Sequence, residues 1–146
     1  MQIRKVTLSE IDGVLALIDL FDRPVAPRPS SARLAEIFGE IERTGGAVVG
    51  AFVENKPIGT CTVNLCANLS WSGRPYAIIE NVIVAPEHRG KGVGTAVLNF
   101  AQNFAQESGC YKVALMTGSK KPETLKFYED AGFSGNKTGF QRRFNA

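Results

Sequence analysis

Histidine and cysteine are scarce in this sequence. Its 146 residues include one histidine and three cysteines, and the cysteines are Cys61, Cys66 and Cys110. An odd number of cysteines without metal-ligand spacing, with one histidine to help, argues against a zinc site. We expect no metal, and we interpret the cysteines as buried thiols of a protein in a reducing cytoplasm.

Long apolar runs and a large excess of one charge are also lacking. No apolar stretch reaches the roughly 18 residues that a membrane helix needs, and residues 1–6 lack the apolar core of a signal peptide. The net charge of +3 is too small to indicate a nucleic-acid partner. We therefore expect a cytoplasmic protein that binds neither membrane nor nucleic acid. Its length and 44% hydrophobic content indicate a single domain over residues 1–146.

The spacing of apolar and turn residues predicts one sheet covered by helices. Strand patterns lie at residues 2–7, 47–53, 58–65, 77–84 and 111–116, with two more strands within 133–144. Helical patterns lie at residues 10–21, 31–43 and 95–107, and in a short segment between Pro122 and Gly132. The fold class is therefore α/β (α+β), in the order β-α-α-β-β-β-α-β-α-β-β. We expect one mixed, mostly antiparallel sheet of about six or seven strands, flanked by about four helices.

Residues 80–95 are the most informative about function. An apolar strand pattern ends at Pro86, and a turn with glycines at Gly90, Gly92 and Gly94 leads into a helical pattern. Glycine lets the backbone turn tightly and approach a ligand closely. The free N–H groups at the start of a helix favour an anion. This order predicts a phosphate or pyrophosphate site.

Three phosphate-binding patterns can be compared with this turn. A P-loop requires Ser or Thr after its Gly-Lys pair, and this chain has Gly92 there. A dinucleotide fingerprint requires Gly or Ala at its last position, where this chain has Thr95 or Val97. The third pattern, Q/R-x-x-G-x-G/A after a buried strand, is met by Arg89, Gly92 and Gly94. A glycine-rich turn without any ligand is the alternative.

The third pattern resembles the acetyl-CoA pyrophosphate loop of the GCN5-related N-acetyltransferases (GNAT). Residues 124–133, Thr-Leu-Lys-Phe-Tyr-Glu-Asp-Ala-Gly-Phe, are similar to the A-x-x-F-Y-E-x-x-G-F helix of the same family. Residues 108–113, Ser-Gly-Cys-Tyr-Lys-Val, are similar to a strand of the glucosamine-6-phosphate N-acetyltransferases. The separation of the two main motifs also fits, so the resemblance covers nearly the whole chain.

The resemblance implies an acyl-CoA-dependent N-acetyltransferase with acetyl-CoA as co-substrate. It places the pyrophosphate on backbone N–H groups of the turn, and the pantetheine arm along the edge of the preceding strand, where the sheet splays open. The implied cofactor contacts are Val82, Ile83, Val84, Arg89, Gly90, Lys91, Gly92, Val93, Gly94, Thr95, Lys121 and Tyr128. Lys121 is a departure, because many members carry Asn at that position.

Glu80 and Tyr128 are the candidate catalytic residues. The acceptor amine, with a pKa near 10.4, must lose a proton before it attacks the thioester. Glu80 is the candidate base, because burial inside an apolar strand would raise its pKa; the alternative is a buried carboxylate paired with Arg or Lys. The family position of Tyr128 faces the thioester, and the alternative is a tyrosine that only packs. Because a phenol is a weaker acid than a thiol, we favour a hydrogen bond to the leaving sulfur over full proton donation.

The acceptor is expected to be the primary amine of a small molecule, such as an amino sugar or amino-acid derivative. A protein N-terminus or lysine is the alternative acceptor. Trp71, Arg74 and Tyr76 either line the acceptor pocket or belong to a solvated loop with one packed aromatic. Two further alternatives are a non-catalytic acyl-CoA-binding sensor and an interaction domain with an empty loop. The resemblance also suggests a homodimer.

Overall fold

The computed structural model describes residues 1–21, 23–24 and 26–144. The chain divides into two compact units, residues 1–115 and residues 116–146. Among the described residues, the first unit holds a five-stranded sheet and three helices, and the second holds one helix. The single domain over residues 1–146 stays a prediction.

The helices and strands have the following bounds. The strands are β1 (Gln2–Lys5), β2 (Ala47–Val53), β3 (Lys56–Cys66), β4 (Tyr76–Val84) and β5 (Val113–Leu115). The helices are α1 (Ile11–Ile18), α2 (Ser31–Arg43), α3 (Val93–Glu107) and, in the second unit, α4 (Pro122–Asp130).

The sheet is mixed and mostly antiparallel, as predicted. Its strand order is β1-β2-β3-β4-β5; the first three pairings are antiparallel, and β4 pairs with β5 in parallel. The predicted number of six or seven strands is wrong, because the described part of the chain forms five and residues 133–144 contain none. Phe140 and Phe144 are 92% and 82% exposed, so this segment lacks the buried face that stabilises a strand.

Helices cover both faces of the sheet in the first unit. One face packs against α1 and α2 in a cluster of Val6, Val14, Phe38, Val48 and Phe52. On β2 the next residue, Val49, points to the opposite face and is paired with Lys5. The Lys5 ammonium lies 4.9 Å from the centre of the Phe104 ring of α3, so α3 covers that opposite face.

An ion pair organises the segment between β1 and α1. Arg4 donates two hydrogen bonds to the Glu10 carboxylate, at 2.8 and 2.6 Å, and the Thr7 N–H donates a third at 2.9 Å. The hydrogen bonds from Arg4, and then that from Thr7, lower the pKa of Glu10 to about 2. Thr7 and Glu10 form a reciprocal cap on a short turn before the helix. The helix consequently begins at Ile11.

Candidate functional site

A glycine turn, residues 89–92, links the end of the β4 region to helix α3. Gly90 and Gly92 have φ angles of +74° and +83°, a region that glycine adopts without steric cost. A Cβ atom at either position would meet no atom within 4 Å, so conformation rather than space requires glycine here. The helix begins at Val93, two residues earlier than predicted. Gly94 is therefore in the first turn of the helix and not in the loop.

Backbone donors and cations lie together at this end of α3. The first N–H groups of a helix have no acceptor within it, and here they belong to Val93, Gly94 and Thr95. Val93 is buried, so its backbone rather than its side chain is available to a ligand. Lys91 is exposed beside the turn. Arg89 donates from Nε to the Val84 carbonyl at 3.0 Å and ties the turn to the end of β4.

The sheet opens beside β4. β4 and β5 pair at only three positions, Ala77 with Val113, Ile78 with Ala114 and Ile79 with Leu115. Within the first unit, the β5-facing edge of β4 has no partner strand from residue 80 to residue 84. This open edge includes the residues implied as pantetheine contacts, and the short turn Pro86–His88 separates its end from the glycine turn.

A bulge in β4 lies at the start of the open edge, and the sequence reasoning missed it. Thr60 of β3 is opposite Ile83 while Thr62 is opposite Glu80, so the β4 chain has one extra residue between them. Asn81 has a φ of +56°, which asparagine tolerates better than most residues. An asparagine inside an apolar strand was the signal that could have revealed the bulge. Bulged residues leave backbone groups outside the regular ladder.

Glu80 is exposed, so the prediction that this carboxylate is buried is wrong. It lies just beyond the last residue of β4 that pairs with β5, and within the first unit no neighbouring strand covers it on that side. None of the salt bridges among the described residues includes Glu80. The alternative of a buried structural ion pair is therefore wrong as well. The role of Glu80 as a base stays a prediction, and burial can no longer be its physical basis.

Tyr128 and Lys121 lie in the second unit. Lys121 immediately precedes helix α4, which has Pro122 at its first position. Tyr128 is half-buried, with its ring 5.0 Å from the ring of Phe127 and 6.4 Å from that of Phe133. These contacts give the ring a packing function within the unit, and they do not test a role of the hydroxyl in catalysis.

Aromatic side chains gather at the other end of β4. Trp71 stacks on Tyr111 with a centroid distance of 5.2 Å and an interplanar angle of 16°. Tyr76 meets the Tyr111 ring edge-on at 6.4 Å, and the Lys112 ammonium lies 5.5 Å from the centres of both tyrosine rings. Trp71 is nevertheless 66% exposed. The loop is thus more ordered than a solvated loop with one packed aromatic.

The prediction that the three cysteines are buried is confirmed for two of them. Cys61 and Cys110 are buried, whereas Cys66 is half-buried. Burial raises the pKa of the Cys61 thiol to about 12, and it also raises that of Cys110. Among the described residues, no group of three or more His, Cys, Asp or Glu side chains could hold a metal ion. None of the described helices is both long and apolar enough to span a membrane.

Known proteins are similar to this chain in sequence and in fold. A glucosamine 6-phosphate N-acetyltransferase from Trypanosoma brucei brucei is 29% identical over 140 residues, which cover 94% of this chain and 91% of that protein. The structure of a putative acetyltransferase from Agrobacterium tumefaciens is similar with a TM-score of 0.88 and 34% identity, covering 99% of this chain and 100% of that one. A glucosamine-6-phosphate N-acetyltransferase from Arabidopsis thaliana gives a TM-score of 0.85 at 25% identity, covering 99% and 98% of the two chains.

The acetyltransferase (GNAT) family matches residues 14–133, which include the strand, the glycine turn and the tyrosine helix described above. Members of this family use acetyl-CoA as co-substrate. The chain therefore belongs to the acetyltransferase (GNAT) family and is an acyl-CoA-dependent N-acetyltransferase.

Proposed function

We propose that this protein transfers the acetyl group of acetyl-CoA to the primary amine of a small molecule, specifically an amino sugar. The observation that carries the proposal is the path that three features of the first unit mark in chain order. The bulge beside Glu80 is followed by the open edge of β4 and then, after the short turn Pro86–His88, by the glycine turn and the start of α3. An elongated ligand with an anionic end and an amide-containing arm suits this path.

The pyrophosphate of the cofactor lies at the glycine turn in this proposal. The Arg89 N–H donates to the Pro86 carbonyl, so the backbone N–H groups of residues 90–94 supply the oriented donors, and the start of α3 favours negative charge. Lys91 adds a positive charge, while the contact of Arg89 with the Val84 carbonyl holds the turn in place. The Cβ-free positions Gly90 and Gly92 leave room for the phosphate oxygens to approach the backbone.

The pantetheine arm lies along residues 82–84 and brings the thioester to the bulge. Its amides can form strand-like hydrogen bonds with the unpaired edge of β4. A backbone N–H outside the regular ladder at Asn81 or Val82 is a fitting donor to the thioester oxygen. Such a donor stabilises the negative charge that develops on this oxygen in the transition state.

In this proposal Glu80 is the general base and Tyr128 assists the leaving sulfur. Glu80 takes a proton from the acceptor ammonium, directly or through a water molecule, because the free amine is the nucleophile. The amine nitrogen bonds to the carbonyl carbon. The carbon–sulfur bond then breaks and the nitrogen releases its second proton to water, which leaves the neutral amide and the CoA thiolate. The Tyr128 hydroxyl donates a hydrogen bond to that thiolate. Lys121 contributes a cofactor contact where many relatives use Asn.

The amino-sugar acceptor is supported by the relatives. Two proteins that match nearly the whole chain are named glucosamine 6-phosphate N-acetyltransferases. An exposed carboxylate at Glu80 is also compatible with a small, hydrated acceptor that enters from solvent. The proposal further includes a cytoplasmic location, a homodimer and no resident metal.

A panel of amines with CoA release as the readout tests this function. Glucosamine, glucosamine 6-phosphate, a lysine peptide and a peptide with a free N-terminus are compared at saturating acetyl-CoA, while calorimetry measures CoA binding. We expect the amino sugars to have the highest kcat/KM. A preference for either peptide would establish a protein acetyltransferase instead. Tight CoA binding with no transfer to any amine would favour the non-catalytic sensor.

A further inference from the structure

The register of three neighbouring strands shows which face of the sheet carries Glu80. Val48 of β2 belongs to the cluster that packs against α1 and α2. It is opposite Thr62 of β3, and Thr62 is in turn opposite Glu80 of β4. Residues directly opposite one another in neighbouring strands point to the same face of a sheet. Glu80 therefore lies on the face that α1 and α2 cover, although its own side chain is exposed.

The segment that follows α1 comes close to Glu80 on this face. Phe21 packs against the cluster that Ile83 of β4 forms with Leu17 and Ala85. The β3 residues opposite Ile83 and Glu80 are two positions apart, which corresponds to about 7 Å along a strand. The ring of Phe21 therefore joins this segment to the part of β4 that carries the candidate base.

The same segment forms a cavity of about 400 Å³, and Phe21 is part of its wall. The lining residues are Asp19, Phe21, Arg23, Ala26, Pro27 and Arg28. Nη2 of Arg28 lies 2.8 Å from one oxygen of the Asp19 carboxylate, and Nη2 of Arg23 lies 3.6 Å from the other. The three charged side chains are between 39% and 49% exposed, so a ligand can reach them from solvent. We call Asp19, Arg23 and Arg28 the arginine cluster.

The arginine cluster has more positive charge and more donors than its own carboxylate can match. Two guanidiniums beside one carboxylate leave a net charge of +1. Each guanidinium carries five N–H donors, whereas a carboxylate offers about four acceptor positions, so Asp19 alone cannot satisfy both arginines. The planar guanidinium also matches phosphate oxygens in paired hydrogen bonds. The shared carboxylate orients the two side chains, and the remaining donors suit a phosphate group.

We infer that the arginine cluster binds a phosphate group of the acceptor, so that the enzyme prefers phosphorylated amino sugars to unphosphorylated ones. The inference rests on the proposed function and adds the residues that recognise the end of the acceptor away from the amine. A hexosamine 6-phosphate carries its amine and its phosphate arm across the sugar ring from each other. It therefore extends from Glu80 past Phe21 to the arginine cluster, while the cofactor lies along the open edge of β4.

A pair of acceptors that differ only in the phosphate tests the inference. Initial rates at saturating acetyl-CoA compare glucosamine 6-phosphate with glucosamine. Arg28→Gln should lower kcat/KM for the phosphorylated sugar about tenfold to a hundredfold, mainly through KM, because it removes a hydrogen bond between charged groups. The same variant should leave kcat/KM for glucosamine nearly unchanged. Arg28→Lys keeps the charge without the paired geometry and should recover part of the loss.

Arg33→Gln is the matched control. Arg33 also forms an exposed ion pair, with Glu36 at 2.9 Å, and its substitution removes the same charge outside the lining of the cavity. It should leave the preference for the phosphorylated sugar unchanged. Calorimetry with glucose 6-phosphate, which has no amine to acetylate, measures phosphate binding without turnover. The wild type should bind this ligand in the presence of CoA, and Arg28→Gln should bind it about tenfold to a hundredfold more weakly.

The outcomes separate the arginine cluster from the proposed function. Equal kcat/KM for the two sugars in the wild type, or an unchanged preference in Arg28→Gln, would overturn the inference and leave the function intact. Binding of glucose 6-phosphate that Arg28→Gln weakens, without transfer to any amine, would retain the cluster as a phosphate site and remove the proposed function. A raised KM for acetyl-CoA with an unchanged KM for the acceptor would assign the cluster to the ribose phosphate of the cofactor, and would overturn the inference.

Discussion

Glu80 and Ile83 project from the same face of β4, although they are three positions apart. Glu80 is opposite Thr62 and Ile83 is opposite Thr60, and Ile83 packs with Leu17 of α1. In a regular strand, residues three apart point to opposite faces. The bulge at Asn81 therefore lets one strand bury Ile83 under a helix and present a carboxylate on the same side.

The bulge predicts a contrast between two substitutions of Asn81. Asn81→Val should destabilise the fold by about 1–3 kcal/mol, because a β-branched residue is disfavoured at positive φ, and it should lower kcat. Asn81→Gly suits the same φ and should retain most activity if only the backbone is used. Thermal unfolding and steady-state kinetics measure both effects. Equal activity loss in the two variants would assign the function to the asparagine side chain.

Substitution of Gly92 should separate ligand binding from backbone strain. Gly92→Ala places a Cβ atom in the open space of the turn and should weaken CoA binding about tenfold, or 1.4 kcal/mol. It should also cost about 1–2 kcal/mol of stability, because Gly92 is left-handed. Gly109→Ala is the matched control, since Gly109 has a φ of +85° and the same open surroundings. It should lose similar stability and keep its CoA affinity in calorimetry; equal affinity in both variants would contradict the pyrophosphate site.

Glu80→Gln should lower activity without lowering stability. Loss of a general base is worth about 10²–10⁴-fold, so kcat/KM should fall in that range while CoA affinity stays nearly unchanged. Because Glu80 is exposed, the melting temperature should change little. Stopped assays at saturating acetyl-CoA, together with thermal unfolding, check the two expectations. Wild-type turnover in the variant would exclude Glu80 as the base.

Tyr128→Phe should isolate the hydroxyl from the packing of the ring. The aromatic contacts of the ring with Phe127 and Phe133 are retained, so the packing of the ring should be preserved. A hydrogen bond to a charged sulfur is worth about 1.5–3 kcal/mol, so kcat should fall roughly 10- to 150-fold. KM for acetyl-CoA should stay similar. An acyl donor with a more acidic leaving thiol should recover part of the rate, and full activity with acetyl-CoA would show that only the ring is needed.

The Arg4–Glu10 pair predicts a stability difference that depends on pH. The pKa of Glu10 falls from 4.5 to about 2 on folding, so the carboxylate stabilises the fold above the unfolded value. That contribution is lost as the pH falls through about 4.5 toward 2. Glu10→Gln should therefore melt below the wild type at pH 7, and the gap should close near pH 2. Glu36→Gln, which removes an exposed pair with Arg33, should show little difference at either pH.

Regular elements with clear periodicity were predictable from the sequence. The bounds predicted for α2 and β2 agree with the structure, because a helical apolar stripe and a short buried run are strong local signals. The prediction of two strands within residues 133–144 was wrong, because the local signal there does not determine burial. The segment contains three phenylalanines and the turn residues Gly135-Asn136, yet Phe140 and Phe144 are exposed, and burial depends on partners that a local pattern does not contain.

The candidate site was predictable by residue type but not by environment. The glycine turn follows from composition, since Gly90 and Gly92 do adopt the positive φ that glycine allows. The exposure of Glu80 does not follow from composition, because it depends on the residue at which β5 ends. The Trp71–Tyr111 stack likewise joins residues far apart in sequence, and no local pattern encodes that contact.

The short pairing between β4 and β5 has a consequence for solubility. An unpaired strand edge is a template on which another chain can add and aggregate. In the proposed complex the pantetheine arm occupies that edge as a substitute strand. Acetyl-CoA would then keep the protein from assembling with itself, in addition to supplying the acetyl group, and solutions without cofactor should precipitate first on heating.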